Sequence, residues 1–184
     1  MQIPCKTNAC RWWLPGLLSL ALCAPVPIVS AASIEAGFSP EGTALQLVIT
    51  TIETAQQEIR LMGYSFTSPV VVRALIGAKR RGVDVRVVLD ERANTGKASV
   101  AAMNLLVNAG IPVRTVNSFK ILHDKVLITD RKNTQLGSFN YSTSADRSNS
   151  ENVLVIRDDA EVAGIYLQHW QSRWDKGADW YSSY

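Results

Sequence analysis

The sequence predicts an α/β protein with a mixed, largely parallel sheet flanked by helices. Between residues 40 and 116, stretches with apolar residues at helical spacing alternate with short stretches in which every second residue is apolar. Such alternation is typical of layered domains with parallel strands, whereas beyond residue 116 short strands follow one another and predict a hairpin. The 184 residues are 47% hydrophobic and 19% charged, which fits one folded domain and excludes wholesale disorder.

The elements of the alternating part are assigned from capping residues and apolar spacing. Pro40 and Pro69, each after a serine, open the first two helices, and Gly82 and Gly110 follow the ends of the second and third. The predicted helices cover residues 40–57, 68–80 and 98–108, the predicted strands cover 59–66, 83–89 and 112–116, and a polar loop covers 90–97.

The second part of the chain has a different rhythm. Short strands are predicted over 124–129 and 135–139, joined by a polar turn at 130–133. A third strand over 152–157 and an amphipathic helix over 158–174 follow. The strand pair is therefore expected to form a hairpin.

The first 32 residues have the composition of a secretory signal peptide. Lys6 and Arg11 are their only charged residues, an apolar stretch runs from residue 12 to residue 29, and three small residues follow. A positive head, an apolar middle and a small-residue end are the features by which signal peptides are recognised.

Cleavage after Ala31 or Ala32 would leave a single catalytic domain, residues 33–184, in the periplasm or outside the cell, without stable membrane association. A retained membrane anchor and a lipoprotein signal at Cys23 are the alternatives. All three cysteines lie in this leader, so the mature chain would have no disulfide and no cysteine ligand for a metal.

The net charge of the chain excludes one class of nucleic-acid-binding protein. At +3 it is too small for a histone-like coat protein.

The residues suited to catalysis lie on the predicted hairpin. Side chains two apart in a strand share a face, so His123 and Lys125 project together, as do Ser138 and Asn140 on the returning strand. If the strands pair, an imidazole, an ammonium, a hydroxyl and a carboxamide converge, and Gly137 permits close approach of backbone or ligand. These groups suit a phosphate, and only Asn140 among them is a typical ligand of a hard cation.

The spacing of these residues resembles the HKD signature of the phospholipase D superfamily. All eighteen positions from 123 to 140 fit it, with His123, Lys125, Asp130 and the run Gly137-Ser138-x-Asn140 in place. Further stretches are similar to the small secreted bacterial endonucleases of that superfamily, so that the resemblance covers nearly all of the mature chain; they lie at 60–67, 79–85, 90–97 and 149–152.

The resemblance implies a phospholipase D-like fold and a phosphodiesterase that needs neither a metal nor another cofactor. In this superfamily one motif histidine attacks phosphorus and forms a phosphohistidine, while a second protonates the leaving oxygen and then activates water. The chain has one motif, and its other histidine, His169, has no lysine or asparagine companions. The resemblance therefore implies a homodimer in which two copies of His123 face one cleft.

The resemblance also implies roles for the neighbouring residues. Lys125, Ser138 and Asn140 would bind the nonbridging oxygens of the substrate. Glu151 stands where the family has an acid that orients the histidine ring. Asp130 is grouped with the catalytic residues as part of the motif, but its expected role is to fix the turn or to pair with a cation.

The substrate is predicted from the charges around the motif. Arg92 and Lys97 in the polar loop, with basic residues at 79–81 and 131–132, favour a surface that binds nucleic acid. No apolar loop suited to a lipid interface and no base-reading motif is visible. The sequence thus predicts a nonspecific endonuclease for DNA, with RNA left open. A phospholipase D acting on lipid head groups and an inactive nucleic-acid-binding dimer are the alternatives.

Overall fold

The computed structural model describes residue 2 and residues 32–182. The predicted signal peptide therefore lies, apart from residues 2 and 32, outside the described part of the chain. In that part no helix has the length and hydropathy needed to cross a membrane.

Eight strands of the described residues form one sheet. In chain order they are β1 (Ser33–Ser39), β2 (Glu58–Gly63), β3 (Asp84–Asp90), β4 (Val113–Val116), β5 (Lys125–Thr129), β6 (Asn133–Gly137), β7 (Glu151–Arg157) and β8 (Ala178–Asp179). Across the sheet the order is β1-β7-β6-β5-β2-β3-β4-β8.

Helices flank this sheet. They are α1 (Thr43–Thr54), α2 (Pro69–Arg80), α3 (Lys97–Asn108), α4 (Thr143–Arg147) and α5 (Ala160–Trp174), and a 3₁₀ turn covers Arg92–Asn94. Apart from α4, every helix was predicted, and the ends of the predicted helices and strands agree with the observed ones to within three residues. Strands β1 and β8 were not predicted.

The mixed sheet with flanking helices is confirmed, but the expectation that it is largely parallel is wrong. Only β3 makes parallel pairs, with β2 and with β4, while the other five pairings are antiparallel. Helix–strand alternation predicts the two parallel pairs correctly. The antiparallel majority arises because β2 also pairs with β5 of the hairpin, and because β1 and β8 add antiparallel edges.

Each face of the sheet has its own apolar core. On one face, buried residues of α1, α2 and α3 pack against the central strands. On the other face, Trp170 and Trp174 of α5 pack on Met62, Val88 and Val126. The indole N–H of Trp170 donates to the carbonyl of Leu61 at 2.9 Å, so the large ring is buried without leaving its polar group unpaired.

The hairpin of β5 and β6 is fixed at its turn by Asp130. Asp130 and Arg131 both have positive φ angles, 53° and 56°. The Asp130 carboxylate accepts hydrogen bonds from the backbone N–H groups of Gln56, Gln57 and Glu58 at 2.7–3.1 Å. Such charge-assisted bonds tie the turn to the start of β2, at the end of β5 opposite His123.

Candidate active site

A pocket of about 570 Å³ lies where the start of β5, the end of β6 and the start of β7 meet. Both strands of the hairpin contribute to it, as the alternation of side chains predicts. Its lining residues are His123, Lys125, Gly137, Ser138, Asn140, Glu151 and Asn152. The four polar side chains expected to converge on the hairpin therefore share one pocket.

Gly137 lets two strands of the pocket approach closely. Its φ is 147°, a region that side chains rarely adopt, and a Cβ there would clash with the backbone carbonyl of Asn152. The close approach expected at this glycine is thus made by the backbone of β7.

Lys125 carries a buried positive charge into the pocket. The residue is 6% exposed, and its Nζ donates to the carbonyl of His123 at 2.7 Å and lies 5.3 Å from the ring centroid of Tyr64. Burial lowers the pKa of Lys125, while the carboxylates of Asp124 and Glu151 oppose this shift. A partly desolvated ammonium favours an anionic ligand, because hydrogen bonds from the ammonium to the ligand replace those it has lost to water.

The imidazole of His123 is exposed beside this ammonium. Its ring meets that of Tyr64 edge-on, with centroids 4.8 Å apart and planes at 64°. No side chain of residues 32–182 hydrogen-bonds to the ring, so both of its nitrogens can reach a ligand. Such a ring can act as a nucleophile once a ligand is bound.

Glu151 contacts Ser138 rather than the histidine ring. The Ser138 hydroxyl donates to one carboxylate oxygen at 2.5 Å and accepts from the backbone N–H of Asn152 at 3.1 Å. The other oxygen accepts from the side chain of Asn149 at 2.9 Å. Among the described residues Glu151 thus orients the serine, and the expected contact with His123 is not made.

Asn140, in the pocket lining, has a side-chain oxygen that residues 32–182 leave unpaired. Its side-chain oxygen is buried and has no hydrogen-bond partner among the described residues. An unsatisfied buried polar group costs about 1–3 kcal/mol. Because a half-turn of the amide exchanges oxygen and nitrogen, this side chain can offer either an acceptor or a donor to a bound group.

Three residues of the predicted set lie outside the pocket lining. Asp130 holds backbone N–H groups at the far end of β5, so its place is structural, although its partners are amides rather than a cation. Arg92 donates to the carbonyl of Lys120 at 2.9 Å, in the loop before β5, and Lys97 is exposed at the start of α3. Binding of substrate by Arg92 and Lys97 therefore stays a prediction.

Two residues near the chemistry were not singled out from the sequence. Tyr64 follows β2 inside the stretch 60–67, and its contacts with His123 and Lys125 give it a place at the site. Asn152 lines the pocket one residue after Glu151. His169, by contrast, lies outside the pocket lining, with its Nε2 3.3 Å from a carboxylate oxygen of Asp124.

Comparison with known proteins identifies the family. A family model described as "Cardiolipin synthase, PLD-like domain" matches residues 48–174. A phospholipase D from Rickettsia bellii is 37% identical over 145 residues, which cover 79% of this chain and 71% of that protein. The chain belongs to the phospholipase D superfamily. This membership confirms the resemblance and makes the protein a phosphodiester hydrolase.

Solved structures of the superfamily have the same fold. Nuc from Salmonella typhimurium, a phospholipase D family member, is 50% identical and superposes with a TM-score of 0.82, covering 83% of this chain and 100% of that one. NucT from Helicobacter pylori superposes with a TM-score of 0.71 at 24% identity.

A mitochondrial cardiolipin hydrolase from Mus musculus is a further sequence relative. It is 31% identical to this chain, and the match covers 73% of this chain and 59% of its own length.

Replacing Lys125 by methionine separates stability from activity. Because burial lowers the pKa of Lys125, the unfolded chain binds this proton more tightly than the folded chain does. Below the lowered pKa of the folded state, the charge on Lys125 therefore reduces the free energy of unfolding. This reduction disappears as the pH rises from the folded-state pKa to the ordinary pKa of the unfolded chain. Lys125→Met should keep or raise the free energy of unfolding at neutral pH, while hydrolysis falls by about 100-fold or more.

Urea unfolding and phosphodiester hydrolysis are the two measurements. Lys176→Met, at an exposed position after α5, is the matched control and should change neither. A Lys125→Met protein that hydrolyses substrate at the wild-type rate would exclude a catalytic charge at this position.

Proposed function

We propose that this phosphodiester hydrolase is a nonspecific endonuclease that cleaves DNA, with RNA left open, through a phosphohistidine at an active site shared by two copies of the chain. The observation that supports this most is the exposed imidazole of His123 beside the buried ammonium of Lys125, in a pocket that also contains Ser138 and Asn140. Charge stabilisation comes from the ammonium, so the proposed reaction needs no metal ion.

The first step is an in-line displacement at phosphorus. A nitrogen of His123 attacks and forms a P–N bond, while the P–O bond to the leaving oxygen breaks and that oxygen takes a proton from a second imidazolium. Lys125, Ser138 and Asn140 hold the nonbridging oxygens. In the second step the now neutral second imidazole takes a proton from water, the resulting hydroxide attacks phosphorus, and the P–N bond breaks.

The second imidazole must come from another copy of the chain. Nucleophile and leaving group lie on opposite sides of phosphorus in this displacement, so one ring cannot serve both. The chain has two histidines, and His169 contacts Asp124 outside the pocket lining. A two-fold dimer that brings two copies of His123 to one phosphate satisfies the requirement.

A sheet face beside the pocket, which residues 32–182 leave uncovered, fits this second copy. On β1, Ile34 is 67% and Phe38 is 54% exposed, and both share a face with Leu154 and Ile156 of β7. These four residues form what we term the β1–β7 apolar face. Helix α1 packs on the other side of the two strands, and α5 packs on β2 to β6.

The β1–β7 apolar face is continuous with the active site. Asn152 lies on the same face of β7 as Leu154 and also lines the pocket. Covering Ile34 and Phe38 would stabilise a dimer by about 1.5–3 kcal/mol for each side chain fully buried. A second copy seated here would therefore place its own pocket close to that of its partner.

Charge around the pocket favours nucleic acid as the substrate. Two exposed cations support this: Arg147 at the end of α4, two residues before the Asn149 that contacts Glu151, and Lys97 at the start of α3, after the segment 90–94 that contacts the loop before His123. Cations along a groove neutralise successive phosphates of a strand. The pocket itself holds polar side chains and offers no pattern for reading bases.

A phospholipase D acting on lipid head groups is the second candidate. Ile121, two residues before His123, is 49% exposed and could contact a lipid surface. The relatives from Rickettsia bellii and Mus musculus are named for phospholipid hydrolysis. We do not propose an inactive nucleic-acid-binding dimer, because the histidine, lysine and asparagine of the signature share one pocket.

The substrate test offers plasmid DNA, RNA, phosphatidylcholine vesicles and cardiolipin vesicles to residues 33–184, each with and without chelator. We expect cleavage of nucleic acid at rates that chelator changes by less than about twofold. His123→Ala should lower the rate by about 1,000-fold or more with the fold intact, since His123 is the one imidazole in the pocket lining of the described residues. Activity on vesicles alone would favour the second candidate, and loss in chelator would contradict a metal-independent reaction.

The dimer test replaces Phe38 by aspartate. A charge in the β1–β7 apolar face should give a folded monomer by light scattering, with little nuclease activity because the second imidazole is missing. Leu105→Asp on α3, where the side chain is also 50% exposed, is the control and should remain an active dimer. A Phe38→Asp monomer that cleaves at the wild-type rate would rule out a shared active site.

A further inference from the structure

A buried carboxylate holds the loop that leads to His123 at Leu122, the residue directly before the histidine. Asp90 at the end of β3 is 2% exposed, and its Oδ2 accepts the backbone N–H of Leu122 at 2.7 Å. Its other oxygen accepts the N–H of Ala93 at 2.8 Å. Because Leu122 directly precedes His123, this bond fixes the backbone from which the nucleophile projects.

The next two residues hold the same loop at earlier points. The carboxylate of Glu91 accepts from the side chain of Asn117 at 3.2 Å. Arg92 donates to the carbonyls of Phe119 and Lys120, at 3.4 and 2.9 Å. Residues 90, 91 and 92 thus each contact a different point of the loop.

Asn94 holds the other neighbour of the histidine. This residue is 1% exposed, its amide nitrogen donates to the carbonyls of Tyr64 and Asp90 at 2.6 and 2.7 Å, and its oxygen accepts the N–H of Phe66 at 2.9 Å. The ring of Tyr64 meets His123 edge-on. Asn94 therefore fixes the backbone from which the Tyr64 ring projects toward the imidazole.

These contacts matter because the loop has no regular structure of its own. Residues 117–124 belong to neither a helix nor a strand, so no ladder of backbone hydrogen bonds sets the position of His123. A reacting group displaced by about 1 Å can lose about 100-fold in rate. The position of the ring thus depends on individual bonds: the bond from Lys125 to the His123 carbonyl, and the bonds that residues 90–94 make to the loop and to Tyr64.

We propose that Asp90 and Asn94 are positioning residues for the reaction, acting on His123 through Leu122 and through Tyr64. This proposal rests on the proposed role of His123 as nucleophile. It also gives the stretch 90–97 a function other than the predicted contact with substrate.

The test compares two carboxylates that each accept two backbone N–H groups. Asp90→Asn leaves one N–H of its pair facing an amide NH₂ group. Asp159→Ala is the matched control: Asp159 caps α5 by accepting from Glu161 and Val162 at 3.1 and 3.0 Å, away from the pocket lining. Rates are measured on bis(p-nitrophenyl) phosphate, a simple phosphodiester, and the imidazole signals are recorded in ¹H–¹⁵N spectra.

We expect Asp90→Asn to lower kcat by about 10–100-fold with KM within about twofold, and to move the ring signals of His123 but not those of His169. Asp159→Ala should change neither kcat nor the ring signals of His123.

Asn94→Ser removes the donors to the carbonyls of Tyr64 and Asp90 without changing charge and should lower kcat by about 3–10-fold. Unchanged kcat and unmoved His123 signals in this variant would overturn the proposal even if Asp90→Asn misfolds.

Unchanged kcat or unmoved His123 signals in folded Asp90→Asn would overturn the proposal, as would an equal loss in Asp159→Ala. If the wild-type protein cleaves neither this diester nor plasmid DNA, the proposed function fails, and the His123 spectra still decide whether Asp90 positions the ring.

Discussion

The placement of a lysine ammonium in a poorly hydrated position beside an exposed imidazole is the constraint on which the rest of the site depends. Burial lowers the pKa of Lys125, so its charge is held at a cost in stability. A phosphate removes that cost on binding, and the charge that develops on its oxygens strengthens the interaction further. The antiparallel pairing of β5 with β2, in which Lys125 lies opposite Gly63, keeps Lys125 in this position.

The two ends of the hairpin have different roles: the turn holds the hairpin in the fold, and the open end carries the groups that face the pocket. At the turn, Asp130 is occupied by three backbone N–H groups and ties the hairpin to the loop before β2. At the open end, His123, Ser138 and Asn140 face the pocket, and one of their polar atoms has no partner. An unpaired oxygen on Asn140 and a desolvated charge at the open end are tolerated because the bonds of Asp130 hold the hairpin at its turn.

The sequence predicted those parts of the molecule that depend on local periodicity. Alternation in a strand placed His123 with Lys125 and Ser138 with Asn140, and the pocket confirms that they meet. It could not predict that β2 pairs with β5, because pairing partners are chosen by long-range packing. Strand β1 was not predicted, although its apolar residues alternate, and the bond between Asp90 and Leu122 joins the end of β3 to an irregular loop, two segments that no sequence pattern relates.

The central claim is that each cleavage needs His123 from two copies of the chain, and a mixed dimer tests it most directly. Two differently tagged copies, one wild type and one His123→Ala, are coexpressed, and the mixed dimer is isolated through both tags and assayed on plasmid DNA. With a shared site, the account predicts less than about 1% of wild-type activity, since one of the two required imidazoles is always missing. Retention of about half the activity would mean that each subunit cleaves alone, which contradicts the account.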